Sequence, residues 1–158
     1  MLILAVHNGW LEDVHMFIES GMPIDSREVS SYPYRGDANH RAHRGDTLII
    51  IATRRNDIDM VKLLLSFESP IICDTDALGD NGMTALMWAA FNGNILILEM
   101  LLKYHRTPRH NLRNEEGYTP LIFAITQRQW PAAYCLIKDL YLDVDVPHEV
   151  IINGICRY

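Results

Sequence analysis

The stretch Gly82-Met83-Thr84-Ala85-Leu86-Met87-Trp88-Ala89-Ala90-Phe91-Asn92-Gly93 decides how the rest of the chain is read. Gly82 permits the positive φ of a tight turn. Thr84 then stands where its hydroxyl can cap a helix that begins at Ala85. Two adjacent alanines give that helix a thin side that another helix can approach closely, and Gly93 breaks it. Beyond the break, Ile95, Leu98, Leu101 and Leu102 recur at i, i+3, i+6 and i+7, which is one face of a second helix. The unit is therefore turn, helix, turn, helix.

The same unit occurs on both sides. Gly45-Asp46-Thr47-Leu48-Ile49 and Gly117-Tyr118-Thr119-Pro120-Leu121 repeat the opening, and the three glycines lie 37 and 35 residues apart. Seven residues after each glycine comes Ala52, Ala89 or Ala124, and turns follow at Asn56, Gly93 and Arg128. The second helices then present Ile58, Val61, Leu64 and Leu65 in one copy and Trp130, Ala133, Leu136 and Ile137 in the last. An earlier copy runs in the same register through Leu2, Ala5, Val6, Gly9, Leu11, Val14, Phe17 and Ile18 but lacks its first turn. Either that copy starts inside a helix or it is cut from something longer.

Spacings of 37 and 35 residues, the family period of about 33 plus short insertions, with Gly-x-Thr-Pro-Leu, an Ala-Ala pair and a closing Leu-Leu, resemble the ankyrin repeat family. The resemblance implies an all-α fold, a solenoid of stacked helix-turn-helix units joined by β-turn or hairpin loops. It divides the chain into repeats over 1–146: a truncated first repeat at 1–27, an inserted loop at 28–41, a second repeat at 42–78, a third at 79–113 and a fourth at 114–146. Residues 147–158 form a C-terminal tail in which Ile151, Ile152 and Ile155 are candidates for a degenerate cap.

Composition narrows the function. Hydrophobic residues are 49% and charged residues 22%, so the chain is apolar enough to fold. The net charge of −6 argues against sequence-independent binding to nucleic acid or to an anionic membrane surface. Cys73, Cys135 and Cys156 are an odd, widely spaced set without ligand spacing. They read as reduced thiols, which favours a cytoplasmic or nuclear setting. The apolar start, Met1 to Val6, has no basic leader, and the run Ile95–Leu102 is too short to span a bilayer.

Chemistry is sparse. The acidic turn Asp74-x-Asp76-x-Leu78-Gly79-Asp80 looks like a calcium loop but has Ala85 where a bidentate Glu is required. His40 and His43 have no Cys or carboxylate at metal-ligand spacing. Cys135 lies beside Leu136 and Ile137 and is expected as a small, buried or half-buried thiol. No phosphate loop, nucleophile elbow or zinc-protease motif is present. No catalytic residue, metal or cofactor is expected.

The resemblance implies instead a non-enzymatic module that binds a partner protein through the concave ankyrin surface and the turn tips. Carried over position by position, the tips contribute His43, Arg44, Asp46, Met83 and Tyr118, and the ends of the first helices contribute Arg54, Arg55, Phe91 and Asn92. Tyr32 and Tyr34 in the inserted loop join them as residue types favoured at interfaces. The gathering of Arg41, His43, Arg44, Arg54 and Arg55 suggests an acidic segment on the partner. The alternative is a structural subunit of a larger assembly whose open repeat ends are buried by neighbouring subunits.

Overall fold

The computed structural model describes residues 1–24, 26, 45–67, 73–104 and 111–140. Eight α-helices occur among them, in four consecutive pairs: α1 (Leu2–Asn8) with α2 (Leu11–Glu19), α3 (Leu48–Arg54) with α4 (Ile58–Ser66), α5 (Ala85–Asn92) with α6 (Ile95–Tyr104), and α7 (Pro120–Thr126) with α8 (Trp130–Leu140). Each first helix packs on the next first helix, and each second helix on the next second helix. The result is two layers, α1-α3-α5-α7 and α2-α4-α6-α8, with the core between them. The all-α repeat architecture expected from the sequence is the one observed.

One backbone device closes the first helix of every pair. The residue after the helix, or one beyond, turns left-handed: Gly9 at φ 73°, Asn56 at 62°, Gly93 at 70° and Arg128 at 58°. The next N–H then returns five residues to the carbonyl of the alanine at the same register position, Trp10 to Ala5 at 2.9 Å, Asp57 to Ala52 at 3.0 Å, Asn94 to Ala89 at 3.1 Å and Gln129 to Ala124 at 2.7 Å. This six-to-one bond satisfies carbonyls that the helix end would leave bare. It works with Asn or Arg at the turn at modest cost, which is why the periodic turn survives the loss of glycine in two copies.

Helix starts are capped by short polar side chains. Thr84 Oγ1 accepts from Met87 N at 3.2 Å, and Thr119 Oγ1 from Ile122 N at 3.3 Å, with Pro120 in the first helical turn. Asp57 and Asn94 cap α4 and α6 in the same way, at 3.0 and 3.1 Å. Thr47 departs from the expectation: its backbone is extended as a cap requires, yet its hydroxyl is buried and makes no hydrogen bond.

The alanines do what the repeat needs. Ala52, Ala85, Ala89, Ala90, Ala124, Ala132 and Ala133 are all fully buried, where larger side chains would push the helices apart. Helix α3 is the extreme case, with Leu48, Ile49, Ile50 and Ile51 all at 0% exposure. A helix apolar all round must be covered all round. Sandwiched between α1 and α5, with α4 behind it, α3 is covered in this way.

Candidate functional site at the turn tips and first-helix face

The tips that precede the first helices are tight turns held by their own backbones. Gly79 N–H donates to Met83 O at 2.9 Å, and Asn114 N–H to Tyr118 O at 3.0 Å. Asn114 braces its turn further, its Oδ1 accepting from Glu116 N at 3.1 Å and Tyr118 N at 2.8 Å. Arg113 adds a guanidinium bond to Gly117 O at 2.9 Å. At the crest of each turn the chain takes a positive φ, 70° at Gly82 and 84° at Gly117. A Cβ on Gly82 would also press on the backbone of Asn114 and Glu115, at 3.3 and 3.2 Å.

Neighbouring tips are stitched together. Glu115 N–H donates to Asn81 O at 3.1 Å, and Asp80 N–H to Asp46 Oδ1 at 3.0 Å. The other carboxylate oxygen of Asp46 lies 3.0 Å from Arg54 Nη1. Gly79 sits so close over Asp46 that any side chain there would collide with the carboxylate. A second set of bridges runs at the far end of the first helices. Asn92 Nδ2 donates to the carbonyls of Thr53 and Arg54 at 3.2 and 3.3 Å, and Asn94 Nδ2 to Asn56 Oδ1 at 2.7 Å.

These contacts revise part of the expected surface. Asp46 is fully buried and Met83 is 7% exposed, so neither is available at a tip. The reason is the same for both: the following tip folds over them, Asp80 onto Asp46 and Asn114 onto Met83, whose sulfur accepts from Asn114 Nδ2 at 3.8 Å. Arg54 has its charge opposed by Asp46, and its side chain is only 14% exposed. Asn92 is half-buried, with its amide committed to the end of α3. Tyr32, Tyr34, His43, Arg44 and the whole of the inserted loop lie outside the described residues, as does the tail with its three isoleucines.

What remains accessible is a smaller set. Arg55 is exposed at the end of α3, and Tyr118 is 40% exposed at its tip. Phe91 is half-buried on α5. It does not meet Tyr118 directly. Phe123 on α7 joins them, its ring 6.0 Å from Phe91 and 5.4 Å from Tyr118, both edge-on. Trp88 extends the row, 5.7 Å from Phe91. The result is a four-ring row across two repeats with edge-to-face geometry favoured by aromatic quadrupoles. Trp88 and Phe123 were not singled out from the sequence, although they occupy one register position in successive repeats. An aromatic at that shared position was the available signal.

Cys135 is a half-buried thiol whose ionisation burial opposes, with Glu99 and Asp139 adding to the effect. Among the described residues no three acidic, histidine or cysteine side chains converge as metal ligands, and no helix is long and apolar enough to cross a membrane.

A model for ankyrin repeats in three copies matches residues 2–114 and again residues 71–148. The chain belongs to the ankyrin repeat family. Ankyrin repeat domain-containing protein 63 of Mus musculus is 34% identical over 120 residues, which is 71% of this chain and 29% of that protein. An ankyrin repeat protein of Rickettsia bellii is 30% identical over 141 residues, 87% of this chain and 50% of its own length. Palmitoyltransferase AKR1 of Lachancea kluyveri is 31% identical over 96 residues, but these are only 13% of that enzyme. This ankyrin chain thus spans half or less of each of these relatives. Its likeness to them is a likeness of repeats, and ankyrin repeats are in general protein-protein interaction modules.

Proposed function

We propose that this chain is a non-enzymatic adaptor that binds a partner protein on the first-helix face and turn tips of repeats two to four. The observation that carries the reading is the row Trp88-Phe91-Phe123-Tyr118, which surfaces at a 40% exposed tyrosine. Rigid aromatic groups set in a packed surround are the usual anchors of a protein interface. Arg55, exposed on α3, supplies a cation for a carboxylate on the partner, a narrower basic feature than the arginine cluster of the sequence because Asp46 offsets Arg54. A reducing intracellular compartment, cytoplasm or nucleus, suits three cysteines that are odd in number and widely spaced along the chain.

Affinity capture with the intact chain and with Tyr118→Ala/Arg55→Glu tests the proposal. Loss of an anchor tyrosine costs about 2 kcal/mol of binding, roughly thirty-fold. The double variant should lose its captured protein while its thermal midpoint stays near that of the parent. Undiminished capture would overturn the proposal.

A second reading, a subunit packed inside a larger assembly, is favoured by apolar groups on the first repeat: Leu4 is 42% and Met16 56% exposed, whereas Ile51, the register equivalent of Leu4, is fully buried. A stable monodisperse monomer in sedimentation would count against it.

A further inference from the structure

The second-helix layer carries a feature that the first-helix face does not explain. Between α2 and α4 runs an open groove of about 390 Å³, lined by Leu11, Glu12, His15, Met16, Glu19, Asp59 and Leu63. On α2 the residues Glu12, Met16 and Glu19 fall at i, i+4 and i+7, one helix face. On α4, Asp59 and Leu63 fall at i and i+4. The floor is therefore leucine and methionine, and the rim is carboxylate at both ends.

The charges around the groove do not cancel. Helix α2 carries Glu12, Asp13 and Glu19 and no lysine or arginine. His15 stands 3.3 Å from Glu19 and leans on the ring of Phe67, centroids 5.6 Å apart. Lys62 opposes Asp59 at 3.7 Å, but both are largely exposed. Exposed pairs of this kind hold their partners weakly and leave them free to exchange. Met16 at 56% exposure is a soft, adaptable contact of the type used by helix-binding surfaces.

We propose that this groove docks a basic amphipathic helix of a partner protein, on the side of the molecule opposite the first helices. Charge complementarity selects the occupant. An apolar pair on the incoming helix would meet Leu11, Met16 and Leu63. Lysine or arginine about seven residues apart, a separation of about 10 Å along a helix, would meet Glu12 and Glu19. An acidic helix would bring like charges together at both ends.

The probe is a short labelled helical peptide with leucines at its centre and lysines at the i and i+7 positions, followed by fluorescence anisotropy against the full chain. A matched peptide with glutamate in place of lysine is the comparison. The account predicts that the lysine peptide binds at least about tenfold more tightly than the glutamate peptide. It further predicts that Glu12→Lys/Glu19→Lys reverses the order and that Met16→Asp weakens both peptides, while Tyr118→Ala leaves them unchanged. All three sites are exposed, so thermal midpoints should stay close to the parent. Equal binding of the two peptides, no binding of either, or indifference to the charge reversal would overturn the proposal. So would a concentration-dependent dimer that Met16→Asp dissociates, since the groove would then be occupied by a second copy of the chain. None of these outcomes depends on the tyrosine tip, so this proposal and the first-helix one fail separately.

Discussion

A fully buried carboxylate must be offset by donors and opposite charge, and Asp46 accepts from the Asp80 N–H at 3.0 Å on one oxygen while the Arg54 guanidinium lies 3.0 Å from the other. Removing it strands a guanidinium that is largely covered and a backbone donor in the next repeat. Asp46→Ala should therefore cost about 2–3 kcal/mol in urea unfolding, less than a deeply buried pair because Arg54 keeps some contact with water. A change below about 0.5 kcal/mol would show that the pair is loose. The two threonines at equivalent helix starts provide a sharper comparison. Thr84 caps α5, so Thr84→Val should cost about 1 kcal/mol, whereas the unbonded Thr47 hydroxyl makes Thr47→Val neutral or stabilising. Equal losses in the two variants would contradict the assigned hydrogen bonds. From the sequence both threonines look alike, and Asp46 looks like a surface tip. The burial of Asp46 arises from Asp80, 34 positions away, folding over it, which no local pattern encodes.

At the scale of elements the helices were legible and their bridges were not. Apolar spacing locates all four pairs, because a 3.6-residue period is written along each helix. The turn after each first helix was also legible at Asn56, Gly93 and Arg128, where a positive φ is now seen. The asparagines between repeats were not. Asn94 is the clearest case, since it caps α6 with its Oδ1 and reaches Asn56 of the preceding repeat with its Nδ2. One side chain thus serves helix start and stack. Asn94→Ala should lower stability by about 1–2 kcal/mol, and Asn56→Gly, which removes the exposed bridge but keeps the left-handed turn, by less than half of that. Thermal unfolding of the two variants checks the ordering, and a larger loss from Asn56→Gly would contradict it. An asparagine in a turn usually signals only local conformation, so its second bond belongs to tertiary structure and had to be seen.

For the whole molecule, stacking decides both stability and which side chains stay accessible. The sequence carries the architecture legibly because each unit has an apolar face it cannot bury alone. It did not show which projecting residues the next unit would cover, and so Met83 and Asp46 were expected at the surface while Phe123 was passed over. The proposed binding face is the aromatic row opening at Tyr118 together with Arg55, on the first-helix side of the stack. Site-specific photo-crosslinking reports on that directly. A benzophenone residue is placed at Tyr118, at Arg55 or at the exposed Lys103 of α6, and each chain is irradiated in a cell extract. The account predicts one and the same protein crosslinked from Tyr118 and Arg55 and absent from Lys103; adducts from Lys103 with none from Tyr118 and Arg55 would contradict it.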